Sequence, residues 1–236
     1  MADPQTLELL DSGTRRLVRS VDAMTDEQWR EPSLLPGWTR AHVVAHLTLN
    51  AEGLAAALEG VHEGRPVPMY ASNERRDSDI EDLSKASPSV LRDRFLGSTT
   101  VIGEWVEELA DNLAGHVIER TPGGRSFPAS AVGTMRTREV AIHHADLGLG
   151  YTAADWPTDF VVLLLDHLAD GSHDDEPFVA HATDLDRSWQ FGTGGPTVSG
   201  TGGALAWWVT GRPLDQVPGG DGLTSDDGQV PRMEPW

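Results

Sequence analysis

The sequence predicts an α+β protein, a four-helix bundle followed by a smaller α/β domain, and three observations carry that expectation. Four stretches with the apolar spacing of amphipathic helices come first. Beyond Trp156-Pro157 the texture changes to short strand-like runs separated by Asp, Gly and Pro. The 236 residues are 39% hydrophobic and 23% charged, enough apolar side chain for one large domain or two modest ones. The boundary is placed so that residues 1–153 form the helical domain and 154–236 the α/β domain.

The first helix sets Leu7, Leu10, Leu17 and Val21 on one face and Asp11, Arg15, Arg16 and Arg19 elsewhere. After the breakers Pro32, Pro36 and Gly37, a second runs from about Thr39, its expected cap, to Leu58. The stretch from Gly64 to Ala86, with Pro66, Pro68 and Asn73, lacks clean periodicity and reads as a long crossover loop. Ser87-Pro88 opens a third helix, with Val90, Leu91, Val101, Ile102, Trp105, Val106 and Leu109 on its apolar side. Gly123-Gly124-Arg125 is a turn, and a fourth helix spans about Ala129 to Leu149, closing at Gly148 and Gly150. Four such helices in order suggest a bundle. In the second part, Phe160 to Leu168 and Ala204 to Thr210 read as buried helices. Phe178 to Thr183, Ser188 to Phe191 and Thr197 to Ser199 read as strands, and Pro218 to Trp236 as loop.

Composition excludes several functions. With 18 Lys plus Arg against 37 Asp plus Glu the net charge is −19, a surface that repels nucleic-acid phosphates and anionic membranes. There is no cysteine, so no disulfide framework, Cys-ligated metal or cysteine nucleophile exists, and any thiol chemistry must borrow its sulfur. The N-terminus carries Asp3 and Glu8 without a basic or apolar leader pattern, and no apolar run approaches the roughly 20 residues of a spanning helix. A soluble cytoplasmic protein, monomeric, is expected.

On the fourth helix Val132, Met135, Glu139, Ile142, His143 and Asp146 share one stripe. A carboxylate among apolar neighbours needs a cation, a donor or a metal. Glu139 and His143, at i and i+4, can meet one ion. The second helix turns His42, Ala45, His46 and Leu49 to one side, and spacing does not choose between the two imidazoles. One of them with Glu139 and His143 makes an N,N,O set suited to zinc, with a fourth position left open. The plainer reading of the same stripe is a Glu–His hydrogen bond inside a core. HExxH is absent, which removes the usual support for a zinc protease. Asp146, at i+3 from His143, can fix its tautomer or serve as a helix-end residue. The GTGG segments at 192–195 and 200–203 lack the phosphate-loop lysine and read as turns. Arg212, just past an apolar helix, is suited to a helix-end cation or a carboxylate clamp.

The stretches LPGWTRAHVVAHL (35–47) and MRTREVAIHHADL (135–147), with Thr210-Gly211-Arg212, resemble the mycothiol-dependent maleylpyruvate isomerase family of the DinB-like metal-dependent thiol transferase superfamily. Pro68-Met69-Tyr70 and GLTSDDGQVP (222–231) extend the likeness over nearly the whole chain. The resemblance implies a DinB-like four-helix bundle with a smaller α/β domain packed against it. It implies zinc on His46, Glu139 and His143, choosing His46 over His42, and a catalytic arginine matched by Arg212. It also implies mycothiol as a regenerated cofactor. The thiolate would add to the cis double bond of maleylpyruvate, the resulting single bond would rotate, and elimination would return the thiol and fumarylpyruvate, in gentisate degradation. Two alternatives stay open at this point. One is a mycothiol S-transferase of the same superfamily, which would consume its thiol. The other is a noncatalytic metal- or thiol-binding protein whose Glu139 and His143 bridge helices. A dianionic substrate on so acidic a protein requires a locally positive pocket.

Overall fold

Asp3 accepts the backbone N–H of Thr6 at 3.0 Å and Pro4 occupies the first turn, so helix α1 (Pro4–Asp22) starts where capping chemistry puts it. It buries Leu10, Leu17 and Val21, the predicted face. The computed structural model describes residues 3–109, 111–171, 177–213, 215 and 222–234. The chain divides into two units, Met1–Leu149 and Gly150–Trp236.

In the first unit α1 is followed by α2 (Arg40–His62), α3 (Asn73–Ser84), α4 (Pro88–Glu108), the short α5 (Asp111–Ala114), a hairpin of β1 (Val117–Glu119) and β2 (Ser126–Pro128), and α6 (Val132–Asp146). Helices α1, α2, α4 and α6 form the bundle, with α2 buried on nearly every side. Its core is aliphatic and aromatic, built around Leu17, Leu47, Leu54, Leu58, Leu91 and Phe95. Arg136 on α6 is fully buried within it. Its Nη1 donates to the Leu47 carbonyl at 2.9 Å and to Asn50 Oδ1 at 2.8 Å, which ties α6 to α2.

The crossover departs from expectation, because Asn73–Ser84 is helical rather than loop. Ser72 caps α3 through the Arg75 N–H, and the pairs Arg75–Asp79 and Glu81–Lys85 support it along its exposed face. Only Ile80, Leu83 and Ser84 are buried, too few residues for an apolar period to register in the sequence. Two glycines let the crossover lie against α2. A Cβ on Gly53 would stand 2.7 Å from the Met69 carbonyl oxygen, and one on Gly60 2.8 Å from that of Arg65. Met69 and Tyr70 then donate their N–H groups to the carbonyls of Glu119 and Arg120, so the segment is pinned to the β1 edge as well.

The second unit holds α7 (Thr158–Ala169), β3 (Phe178–Ala182), β4 (Arg187–Phe191), β5 (Thr197–Gly200), α8 (Gly202–Val209) and β6 (Thr224–Ser225). The sheet order is β4-β3-β5-β6, with β3 and β5 parallel and the other pairs antiparallel. Phe178 stacks on Phe191 at 4.4 Å and meets Trp208 of α8 at 4.8 Å. The segments predicted as strands are strands, and Gly200 to Gly203 is the junction from β5 into α8, capped by Thr201. Of the tail expected to be loop, Thr224–Ser225 is a short strand, while 218–221 and 235–236 lie outside the described residues. Among the described residues no helix is long and apolar enough to cross a membrane.

A Gly to Ala change inside a helix ordinarily stabilises by about 0.5–1 kcal/mol. Gly97 on α4 is exposed with nothing near its missing Cβ, so Gly97→Ala is expected to gain about that much. Gly53→Ala is expected to lose about 1–3 kcal/mol, because the new methyl must push a carbonyl away. Urea denaturation of both variants checks the difference in sign.

Candidate metal centre

The segment before α2 orients the site. Leu35 to Trp38 is a turn with Pro36 and Gly37 at its centre, Gly37 at φ 77° and the Trp38 N–H donating to the Leu35 carbonyl at 3.1 Å. Proline followed by a left-handed glycine is the pattern such a turn demands. Trp38 is thereby set against both imidazoles of α2, 6.1 Å from His42 and 5.7 Å from His46 between ring centroids. Arg40 fastens the start of α2 to the end of α6. Its Nε donates to the Leu147 carbonyl at 2.8 Å and its Nη2 to that of Gly148 at 3.4 Å, which satisfies carbonyls at a helix C-terminus with a cation. The Leu34 N–H donates to the Asp146 carbonyl at 2.8 Å, a second tie between the two helix ends.

With the helices so held, three side chains converge. His46 Nε2 lies 2.9 Å from Glu139 Oε2, and His143 Nε2 lies 3.3 Å from the same oxygen. The rings of His46 and His143 meet edge to face at 4.6 Å. One donor atom from each of the three residues falls within 4.8 Å of the others. Donors about 2.1 Å from a tetrahedral zinc stand roughly 3.4 Å apart, so the two spacings to the carboxylate are close to what one shared ion requires. The side chains of His46 and His143 are 6% and 9% exposed, and that of Glu139 is 17% exposed, so the carboxylate keeps an opening to solvent.

Asp146 is fully buried and its Oδ2 stands 2.8 Å from His143 Nδ1. That contact places a proton on Nδ1 and leaves Nε2 facing Glu139 and His46, the outer-shell arrangement metal-binding histidines use. The other histidines in the two motifs are committed elsewhere. His42 Nδ1 accepts the Thr39 N–H at 3.2 Å at the start of α2, and its Nε2 meets Glu81 at 3.0 Å and Ser84 at 3.2 Å on α3. His144 Nε2 bonds Ser20 Oγ of α1 at 2.7 Å. Spacing left His42 and His46 equivalent; their tertiary partners separate them.

Electrostatics suits the three groups to a cation. Burial pushes His46 down to about 4, so it is neutral at physiological pH, as a ligand must be. Burial acts to raise Glu139, yet the two imidazoles overcome it and hold the carboxyl well below the usual range. Burial lowers His143, but its hydrogen bonds to the Asp146 and Glu139 carboxylates outweigh that and leave the imidazole raised. The donor set of two imidazoles and a carboxylate, oriented by a second carboxylate and open on one side, fits zinc.

Arg212 belongs to the second unit. It follows Gly211, which sits at φ 78° just past α8, and it is buried, with Nη1 donating to the Thr210 carbonyl at 3.0 Å and the guanidinium 5.8 Å from the Trp207 ring. Near the triad the structure adds residues that the sequence reading did not single out. Arg76 Nη2 lies 3.3 Å from His46 Nδ1, and the field of Glu139 reaches the buried Arg136 and Arg138. Arg76 sits on the helix mistaken for loop, so no periodic signal marked it.

A helical bundle whose neighbouring helices bring His, Glu and His to one point, followed by a sheet-containing unit, defines an α+β protein with a three-residue candidate metal centre. Residues 10–148 match the family described as the mycothiol maleylpyruvate isomerase N-terminal domain, and the chain belongs to that family. Two solved structures resemble it over 99% of this chain and 98% of theirs, with 29% identity and a TM-score of 0.86. They are a mycothiol-dependent maleylpyruvate isomerase and a histidine-to-alanine mutant of such an enzyme. No curated protein sequence matches the chain.

His46→Ala is expected to abolish stoichiometric zinc retention after dialysis, and Asp146→Asn to weaken zinc binding about 10–100-fold. Chelator competition with metal analysis checks both. Wild-type affinity in His46→Ala would remove that residue from the ligand set.

Proposed function

We propose that this protein is a mycothiol-dependent cis–trans isomerase that converts maleylpyruvate to fumarylpyruvate in gentisate degradation, with zinc on His46, Glu139 and His143. The observation that carries the reading is the meeting of both imidazoles on one oxygen of Glu139 in a chain that belongs to this family. The near-complete coverage by structures described as the isomerase supports it. So does the absence of cysteine, since addition chemistry then needs an external sulfur.

Zinc held by this set supplies the Lewis acidity that keeps a thiol sulfur deprotonated near neutral pH. The chain's own residues do the rest. Asp146 holds His143 in one tautomer, and Glu139 offsets part of the metal's charge. Arg212 is the cation we assign to meet the negative charge of the oxo-acid, because a planar guanidinium would match a carboxylate or enolate with two parallel donors.

The test follows maleylpyruvate with and without mycothiol. Turnover that depends on the thiol without consuming it is expected, and Arg212→Lys is expected to fold normally and lose most of that turnover. Equal rates in both conditions would overturn the thiol requirement. Stoichiometric loss of thiol would instead identify an S-transferase.

A further inference from the structure

The crossover brings Arg76 to the edge of the triad, on a protein whose net charge is −19. A cleft of about 340 Å³ lies between α2, the Met69–Ala71 segment and α3, lined by Leu49, Gly53, Met69, Tyr70, Arg75 and Arg76 among others. Arg76 joins this cleft to the triad through its 3.3 Å approach to His46. Its guanidinium lies 5.9 Å from the centroid of the Tyr70 ring, while Arg120, from the end of the hairpin strand, lies 5.5 Å from that centroid.

The acidic groups around the cleft do not cancel this charge. Glu52 is held by Arg94 in two bonds of 2.7 Å, and Asp79 is held by Arg75 at 2.8 Å. Asp77 accepts from Arg76 Nη1 at 2.8 Å on the solvent side, itself 66% exposed, while Arg76 Nε is buried without a hydrogen-bond partner. Arg120 donates to the neutral amide oxygen of Asn73 and forms no ion pair among the described residues.

We infer that Arg76, Arg120 and Tyr70 form the subsite that takes a carboxylate of the substrate, beside His46. This rests on the isomerase reading for the identity of the substrate as an oxo-dicarboxylate, and on geometry for the site. Arg76 and Tyr70, a guanidinium and a phenol that can both donate, line the cleft, and Arg120 stands behind them against the Tyr70 ring. Burial and the nearby Glu139 push the Tyr70 hydroxyl up to about 12, so it keeps its proton and can donate.

The experiment uses the full-length, zinc-loaded protein with maleate, a non-reacting cis-dicarboxylate, as the calorimetric probe. Arg76→Gln and Arg120→Gln are each expected to weaken maleate binding about tenfold or more, the scale of one charge-assisted hydrogen bond lost. KM for maleylpyruvate is expected to rise by more than kcat falls, with zinc content held in Arg120→Gln, which touches no member of the triad. Absent maleate binding in the wild type, or unchanged affinity in Arg120→Gln, overturns the subsite. Zinc loss in Arg76→Gln with maleate affinity intact would make Arg76 a support for His46 only. If the wild type binds maleate, loses that binding in both variants and yet shows no thiol-dependent turnover, the subsite stands and the isomerase reading fails.

Discussion

The structure of the helical unit turns on one carboxylate shared by two imidazoles. Glu139 of α6 sits 2.9 Å from His46 of α2 and 3.3 Å from His143 one turn along its own helix. A carboxylate so placed is costly unless cations or donors meet it. The surrounding sequence supplies the means of holding that meeting in place. The Pro36-Gly37 turn aims Trp38 at both imidazoles, Arg40 closes the end of α6 onto the start of α2, and Asp146 fixes His143 from behind. Each of these residues lies within one of the two motifs, which explains why the motifs extend beyond the three converging side chains.

The second constraint is charge. A surface carrying −19 disfavours any anionic substrate unless the site itself is positive. Zinc and Arg212 were the expected sources of that local charge. The structure adds Arg76 beside His46, delivered by a crossover that two glycines of α2 allow to lie close, and Arg120, from the hairpin, against Tyr70. The long segment between the second and third predicted helices is therefore the part of the helical unit that shapes the approach to the triad.

Much of this was legible in the sequence, for physical reasons. The bundle helices α1, α2, α4 and α6 each bury a long face, so their apolar period runs through several turns, and Thr39 and Ser87 cap them where expected. Helix α3 was not legible because it buries only Ile80, Leu83 and Ser84, and the β1–β2 hairpin is too short to show alternation. The choice between His42 and His46 could not come from spacing, since both lie on the inward face. It depends on Glu81 and Ser84, which belong to the very helix that periodicity missed. Arg76 was invisible for the same reason.

Whether His46, Glu139 and His143 bind one zinc ion together is decided by X-ray absorption at the zinc edge on the reconstituted protein. A single bound zinc with nitrogen and oxygen neighbours at about 2.0–2.2 Å and the outer-shell scattering of two imidazoles is expected. A zinc ion lacking imidazole scattering, or protein that holds no zinc at stoichiometric loading, would contradict it.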